Sequence, residues 1–146
     1  MAFKVVSHSP NIPAEEYLAD ASTSFTIGSL TYRDTSTGEI KECTATTGDA
    51  TNVEAITTKT ETTGASAPYI RLTPVFHGTR VIVDCTNNTA ADQLNKAHLM
   101  TDARTINNTN THSTDINAIF VALRIVGVAA DKKLYGYIAK TGQVTA

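Results

Sequence analysis

The stretch AIFVALRIVGVAADKKLYGYIA, residues 118–139, decides the fold of this chain. Its first half, residues 118–128, is an apolar run of mainly Ile, Val and Phe, residue types that are enriched in strands. A run of this length also fits a buried helix, but its composition and the interruption at Gly127 favour a strand. Residues 133–139 then return with alternating faces, one of which carries Leu134, Gly136 and Ile138. We therefore predict a β-hairpin that forms the core.

Threonine extends this β pattern over the rest of the chain. Twenty-five of the 146 residues are Thr, and most alternate with Val, Ile, Tyr and Phe. Thr is stiff at χ1 and suits a pleated surface that is partly in contact with water. A second hairpin is predicted where residues 30–33 and 39–43 flank a turn that begins at Asp34 and ends at Gly38. The predicted fold class is all-β, a mainly antiparallel barrel or sandwich.

Other segments give weaker local predictions. Residues 53–60 read as an edge strand, and residues 68–76, with two prolines, as an edge or bulged strand. Residues 79–86 read as a strand covered on both faces. The one short helix is predicted at Thr89–Lys96 with Thr89 as its N-cap, and Asn107–Asp115 reads as the most exposed loop.

The first 20 residues differ from the body. Pro10 and Pro13 disfavour both helix and ladder pairing, so we expect an extended N-terminal arm over residues 1–20 and a β-rich domain over residues 21–146. One helical turn is predicted after Pro13. The arm is either a frayed terminus or a segment that orders against a partner, and the body should fold without residues 2–18. The candidate partner-binding residues are its apolar side chains Phe3, Val5, Val6, Ile12, Tyr17 and Leu18.

Composition argues against several classes of partner. The chain has 18% charged residues and a net charge of −2, and its Lys and Arg residues are spread singly rather than in a basic stripe. We therefore expect no nucleic-acid binding. No apolar run approaches the ~18 residues of a membrane helix, and the N-terminus lacks a signal-peptide core, so we expect synthesis in the cytoplasm and no membrane partner.

No motif for catalysis or metal binding stands out. The four histidines His8, His77, His98 and His112 lie singly, without the spacing of a metal site. Cys43 and Cys85 fit buried small hydrophobes better than ligands, and a disulfide between them stays open. The nucleophile-elbow and phosphate-loop patterns do not occur. We expect a protein that is not an enzyme and needs no cofactor or metal, although dispersed catalytic residues are an alternative.

The order of these segments resembles a known family. The hairpin SFTIGSLTYRDTSTGEIKECTA (24–45), the strand pair YIRLTPVFHGTRVIVDC (69–85), and ADQLNKAHLMTDARTIN (91–107) leading to the C-terminal hairpin resemble the small capsid decoration or cement proteins of tailed bacteriophages. The resemblance concerns layout and carries no diagnostic motif. It implies a homotrimeric virion protein on the capsid surface that clamps neighbouring major capsid subunits, in many cases with a terminal arm, and it implies no catalytic residue.

A second function fits the same composition. The alternative is a carbohydrate-binding or adhesin-like β module, whose usual mark is an exposed aromatic platform. The chain has no Trp and 6% aromatic residues, so this mark is weak.

Overall fold

The computed structural model describes residues 3–7, 14–45, 47, 51–66, 68–111 and 118–140. Of these residues 51% lie in strands and 5% in helical turns, which confirms the all-β fold. The helical turns of this part of the chain are two 3-10 segments, Ala91–Gln93 and Ala129–Asp131. Its strands are β1 (Phe3–Ser7), β2 (Glu15–Leu18), β3 (Ser24–Phe25), β4 (Leu30–Arg33), β5 (Ile40–Glu42), β6 (Val53–Thr57), β7 (Glu61–Thr62), β8 (Tyr69–Pro74), β9 (Arg80–Cys85), β10 (Ala97–Asp102), β11 (Thr105–Thr111), β12 (Phe120–Ile125) and β13 (Lys133–Ile138).

Five strands from the second half of the chain close into a barrel. Strand β9 pairs with β13 along one edge and with β11, in parallel, along the other. Antiparallel pairings of β11 with β10, β10 with β12 and β12 with β13 complete the circuit. Strand β11 covers only part of this second edge of β9. Strand β1 pairs with the rest of the edge and runs antiparallel to β9. The N-terminal strand therefore extends the barrel wall.

The predicted C-terminal hairpin is confirmed as β12 and β13. Leu134, Gly136 and Ile138 are buried on one face of β13, as the alternation predicts. Gly136 permits an unusually close approach, because a Cβ built there would lie 1.9 Å from the carbonyl oxygen of Val121 and 2.7 Å from the ring of Phe120. The absence of a side chain at Gly136 lets the Phe120 ring fill the barrel interior.

Five strands from the first half of the chain form a curved antiparallel sheet in the order β2-β8-β6-β4-β5. A parallel bridge between Ala19 and Ile40 joins its two ends, so the sheet curls back on itself. The predicted β4–β5 hairpin is confirmed, and its turn is fixed by Asp34, whose carboxylate accepts hydrogen bonds from the backbone N–H and the hydroxyl of Ser36. Gly38 supplies the positive φ, +76°, with which the turn ends.

Two apolar cores follow from this arrangement. The larger core fills the barrel and continues into one face of the curved sheet, from which Leu30, Val53 and Ile56 contribute. The smaller core lies on the other face of the curved sheet. Its members are Tyr17, Ala19, Phe25, Ile40, Ala55, Ile70 and Leu72. The curved sheet is therefore packed on both faces along β4 and β6, where it holds the barrel against one of them.

Several local predictions are wrong because pairing between distant strands overrides local preference. The helical turn expected after Pro13 is strand β2, which pairs with β8. The helix expected at Thr89–Lys96 is reduced to the 3-10 turn Ala91–Gln93, whose N-cap is Ala90 and not Thr89.

The predicted strand positions also need correction. Strands β6 and β8 lie inside the curved sheet and are not edges. Strand β9 is buried on one face only, with an alternating pattern. The loop expected from Asn107 is strand β11 as far as Thr111, and Asn108 within it is buried, while the rest of that predicted loop, from residue 112, lies outside the described residues.

Candidate functional site

The structure separates the six candidate residues of the N-terminal segment. Phe3 is 1% exposed and belongs to the larger core, and Val5 packs against the same core. The backbone of Val6 lies in β1, whereas Ile12 lies outside the described residues. Because β1 pairs with β9 of the same chain, the side chains of Phe3 and Val5 are committed to intramolecular packing.

Tyr17 is likewise buried inside the molecule. It lies in the smaller core. Burial, followed by the negative charges of Glu15 and Glu54, raises the pKa of Tyr17 to about 12. Arg33 is ion-paired with Glu54, with 3.1 Å between Nε and Oε1, and completes the polar surroundings of the phenol. Tyr17 thus anchors β2 and does not project from it.

Leu18 is the candidate residue that the structure leaves exposed, at 38%. It lies directly opposite Tyr69 in the β2–β8 ladder, and Tyr69 is 61% exposed. The neighbouring pair on the same outer face is Glu16 opposite Arg71. We call these four side chains the β2–β8 outer patch: an apolar pair with a charged pair beside it. Sequence reasoning missed Tyr69, although the alternation Tyr69-Ile70-Arg71-Leu72 already separates an outer from an inner face.

A cavity of about 310 Å³ lies where the curved sheet meets the β10–β11 turn. Its lining residues are Ser29, Glu42, Cys43, Asp102, Ala103, Arg104 and Thr105. The Ser29 hydroxyl is buried without a hydrogen-bond partner among the described residues, whereas the Arg104 Nε donates to the carbonyl of Ile27 at 3.2 Å. The lining mixes one cation with two carboxylates and contains no histidine.

A second cavity, of about 350 Å³, lies beside the first 3-10 turn. Asn108 lines it, but the Asn108 side chain is engaged by the backbone of Asn87 and Asn88 and by Gln93. This network fixes the turn to β11 and leaves the Asn108 amide no free donor for a ligand.

The cysteines and two of the histidines occupy structural positions. Cys43 and Cys85 are both buried, and burial raises the pKa of Cys85 to about 12, so Cys85 is a thiol at neutral pH. His77 accepts the backbone N–H of Lys140 at Nδ1, and the buried His98 has its Nε2 2.8 Å from the carbonyl oxygen of Gln93. His8 and His112 lie outside the described residues. In the described ranges no group of three or more His, Cys, Asp or Glu residues is placed to hold a metal ion.

Comparison with known proteins gives no family for this chain. No protein-family model matches the sequence, and no curated protein matches it significantly. Within the described residues no helix is long and apolar enough to span a membrane.

Proposed function

We propose that this chain is a structural virion protein that binds the outside of a phage head and stabilises it by clamping neighbouring major capsid subunits. Its partners are the major capsid protein and further copies of itself, in a homotrimer on the capsid surface. The observation that carries the proposal is the β2–β8 outer patch, in which Leu18 and Tyr69 stay exposed on paired strands. The layout described for residues 24–139 supports it by resemblance.

The composition of this patch suits a protein partner. Tyr and Arg are enriched at the energetic centres of interfaces, and charged groups around an apolar centre fix its orientation. Tyr69 and Arg71 alternate with the buried Ile70 and Leu72, so the backbone beneath the patch is held by the smaller core. A rigid patch loses little conformational entropy when it binds.

Stabilisation of a shell requires no chemistry. A protein that binds the assembled shell and not its separated subunits adds its binding free energy to the stability of the shell. A β-rich body is a suitable clamp, because its ladder hydrogen bonds and two packed faces keep the contact residues in register.

The test is co-sedimentation with assembled heads of the phage that carries the gene, stripped of accessory proteins. We expect the native chain to pellet with heads, and the variant Leu18→Ser/Tyr69→Ser to bind at least about tenfold more weakly, since truncating an interface centre costs on the order of 2 kcal/mol. Val128→Ser is the matched control, because Val128 is 66% exposed but lies on the turn between β12 and β13.

Two results would overturn the proposal. If the native chain does not pellet with heads, it is not a head-binding protein. If it is instead retained on a glycan array, the carbohydrate-binding function replaces the one proposed here.

A further inference from the structure

The outer face of the barrel carries a row of basic and aromatic side chains. Across four neighbouring strands, Lys4 lies beside Ile82, Ile82 beside Tyr135, and Tyr135 beside Arg124. In the next row Arg80 lies beside Tyr137. We call Lys4, Arg80, Arg124, Tyr135 and Tyr137 the basic face. These residues alternate with the inward-facing core residues of the same strands.

Both arginines of the basic face are held over tyrosine rings. The Cζ of Arg124 lies 4.2 Å from the ring centroid of Tyr135, and the Cζ of Arg80 lies 5.4 Å from that of Tyr137. Among the described residues neither guanidinium group has a carboxylate or carbonyl partner. Asp84, on the same strand as Arg80, is already paired with Lys133. The two guanidinium groups are thus oriented and have donors free for an anionic partner.

Charge is divided unevenly between the two halves of the molecule. The described residues of 14–75, which build the curved sheet, include eight acidic and four basic side chains, a net charge of −4. The described residues of 3–7 and 76–140, which build the barrel, include four acidic and eight basic side chains, a net charge of +4. One chain therefore carries both members of a complementary pair of surfaces.

The negative charge has a centre at the seam where the curved sheet closes on itself. Beside the Ala19–Ile40 bridge, Lys41 Nζ lies 2.8 Å from Asp34 and 3.9 Å from Asp20. The nearby carboxyl group of Asp20, followed by burial, raises the pKa of Glu39. Two carboxylates here share one ammonium group, and Glu39 adds a third negative charge beside them. We call Asp20, Asp34 and Glu39 the acidic seam.

We propose that the basic face of one copy docks on the acidic seam of a second copy, in a head-to-tail contact. The inference deepens the self-association included in the proposed function. Such a contact joins two different surfaces, so a set of copies closes into a ring when the rotation between neighbours permits. Arginine and tyrosine are the residue types that dominate interface energies, and the preset guanidinium groups lower the entropy lost on docking.

A nucleic acid is a poorer occupant of the basic face. Single strands bind by stacking bases on open aromatic rings, whereas Tyr135 and Tyr137 are each capped by a guanidinium group. The net charge of −4 on the curved-sheet half also repels a long polyanion. A second copy of this chain is compatible both with the capped tyrosine rings and with the negative charge of the curved-sheet half.

The test is sedimentation velocity of the free chain and of two charge-reversed variants at low and high salt. The basic-face variant is Arg80→Glu/Arg124→Glu, and the acidic-seam variant is Asp20→Lys/Glu39→Lys. We expect the native chain to self-associate at low salt, with at least a tenfold loss of affinity at high salt. Each variant alone should be at least tenfold weaker than the native chain. The control Lys59→Glu/Lys96→Glu makes the same change of charge at two lysines that are not part of the basic face and should associate as the native chain does.

Mixing the two variants tests the head-to-tail geometry. The basic-face variant keeps its acidic seam, and the acidic-seam variant keeps its basic face, so an equimolar mixture should give a 1:1 complex that does not grow further. Near-ultraviolet circular dichroism verifies that both variants are folded. A native chain that is monomeric at low salt, an acidic-seam variant that associates normally, or folded variants that form no complex on mixing would each overturn the inference.

A binding measurement with a labelled single-stranded oligonucleotide completes the test. Binding that is lost in the basic-face variant, without self-association of the native chain, would assign the basic face to nucleic acid instead. Heads are absent from these experiments, and Leu18 and Tyr69 are unchanged in every variant. Failure here is therefore distinguishable from failure of head binding.

Discussion

Lys140 places an ammonium group in the interior of the molecule, next to the end of β13. The residue is 6% exposed, and its Nζ lies 3.5 Å from the carbonyl oxygen of Val75. Burial lowers the pKa of Lys140 from 10.5, and the more distant Glu54 opposes this only in part. A buried base with a lowered pKa destabilises the folded state wherever the unfolded chain holds the proton more tightly.

Replacing Lys140 with Met should therefore stabilise the protein at neutral pH. Below the lowered pKa the native chain carries the full penalty of a buried charge. As the pH rises through that pKa towards 10.5 the unfolded state binds more protons than the folded state, so the free energy of unfolding rises. We expect Lys140→Met to be more stable than the native chain at pH 7 and to lose most of that advantage near pH 10.5. Urea unfolding of both proteins across this range measures the difference, and a gap that does not change with pH would contradict the explanation.

The pairing of strand β13 with β12 depends on the absence of a side chain at Gly136. A Cβ at Gly136 would collide with the backbone of Val121, which cannot move without breaking the β12–β13 ladder. Gly38, in contrast, has open space around it and only its positive φ to restrict substitution.

Gly136→Ala should therefore cost about 3 kcal/mol or more, the upper range for overpacking a core. Gly38→Ala should cost only about 1–2 kcal/mol, the strain of a left-handed backbone. Thermal and chemical denaturation of the two variants gives the comparison. Equal losses would mean that β12 yields more easily than its pairing indicates.

Elements with a strong local signal were predictable, and elements that depend on distant partners were not. The β12–β13 hairpin and the β4–β5 hairpin were both identified, because alternation and turn residues fall within one short window. Strand β2 was predicted as a helical turn, because its partner β8 begins about 50 residues later and leaves no local mark. Thr89–Lys96 satisfied helix-capping rules, yet Asn95 adopts a left-handed conformation and the chain turns into β10.

At the scale of the whole molecule, the proposed binding surfaces also depend on residues that are distant in the sequence. Leu18 was identified from its apolar character, but Tyr69 joins it only through the β2–β8 register. The basic face was missed because its cations are single residues on three strands, and only closure of the barrel brings them together. A sequence without a basic stripe can therefore fold into a molecule with a basic face.

The N-terminal strands offer a direct test of their structural role. Phe3→Ala should destabilise the protein by about 3–5 kcal/mol, the usual cost for a buried Phe, because Phe3 lies in the larger core. Leu18→Ala should change stability by no more than about 0.5 kcal/mol, as expected for an exposed position. Chemical denaturation distinguishes the two, and a loss below about 1 kcal/mol for Phe3→Ala would mean that β1 contributes little to the core.

Truncation of the N-terminal segment is a poor probe of head binding, because β1 and β2 are part of the packed structure. Removal of residues 2–18 takes away β1 and β2, and with them the buried aromatic side chains of Phe3 and Tyr17. A typical domain is stable by only about 5–15 kcal/mol, so we expect the truncated chain to lose its cooperative unfolding transition. Surface substitutions such as Leu18→Ser test head binding without this penalty.

The pairing of β1 with β9 also determines when β1 can fold during biosynthesis. Phe3 lies opposite Val83, so β1 has no partner until about 80 further residues have been made. At about 5–20 residues per second, β1 waits roughly 4–16 s on the ribosome with its apolar side chains unpaired. Strand β2 waits about two thirds as long, since Tyr17 lies opposite Ile70. Among the described strands, β1 and β2 thus wait longest for a partner, and chaperones that cover nascent apolar segments have their longest opportunity at these two strands.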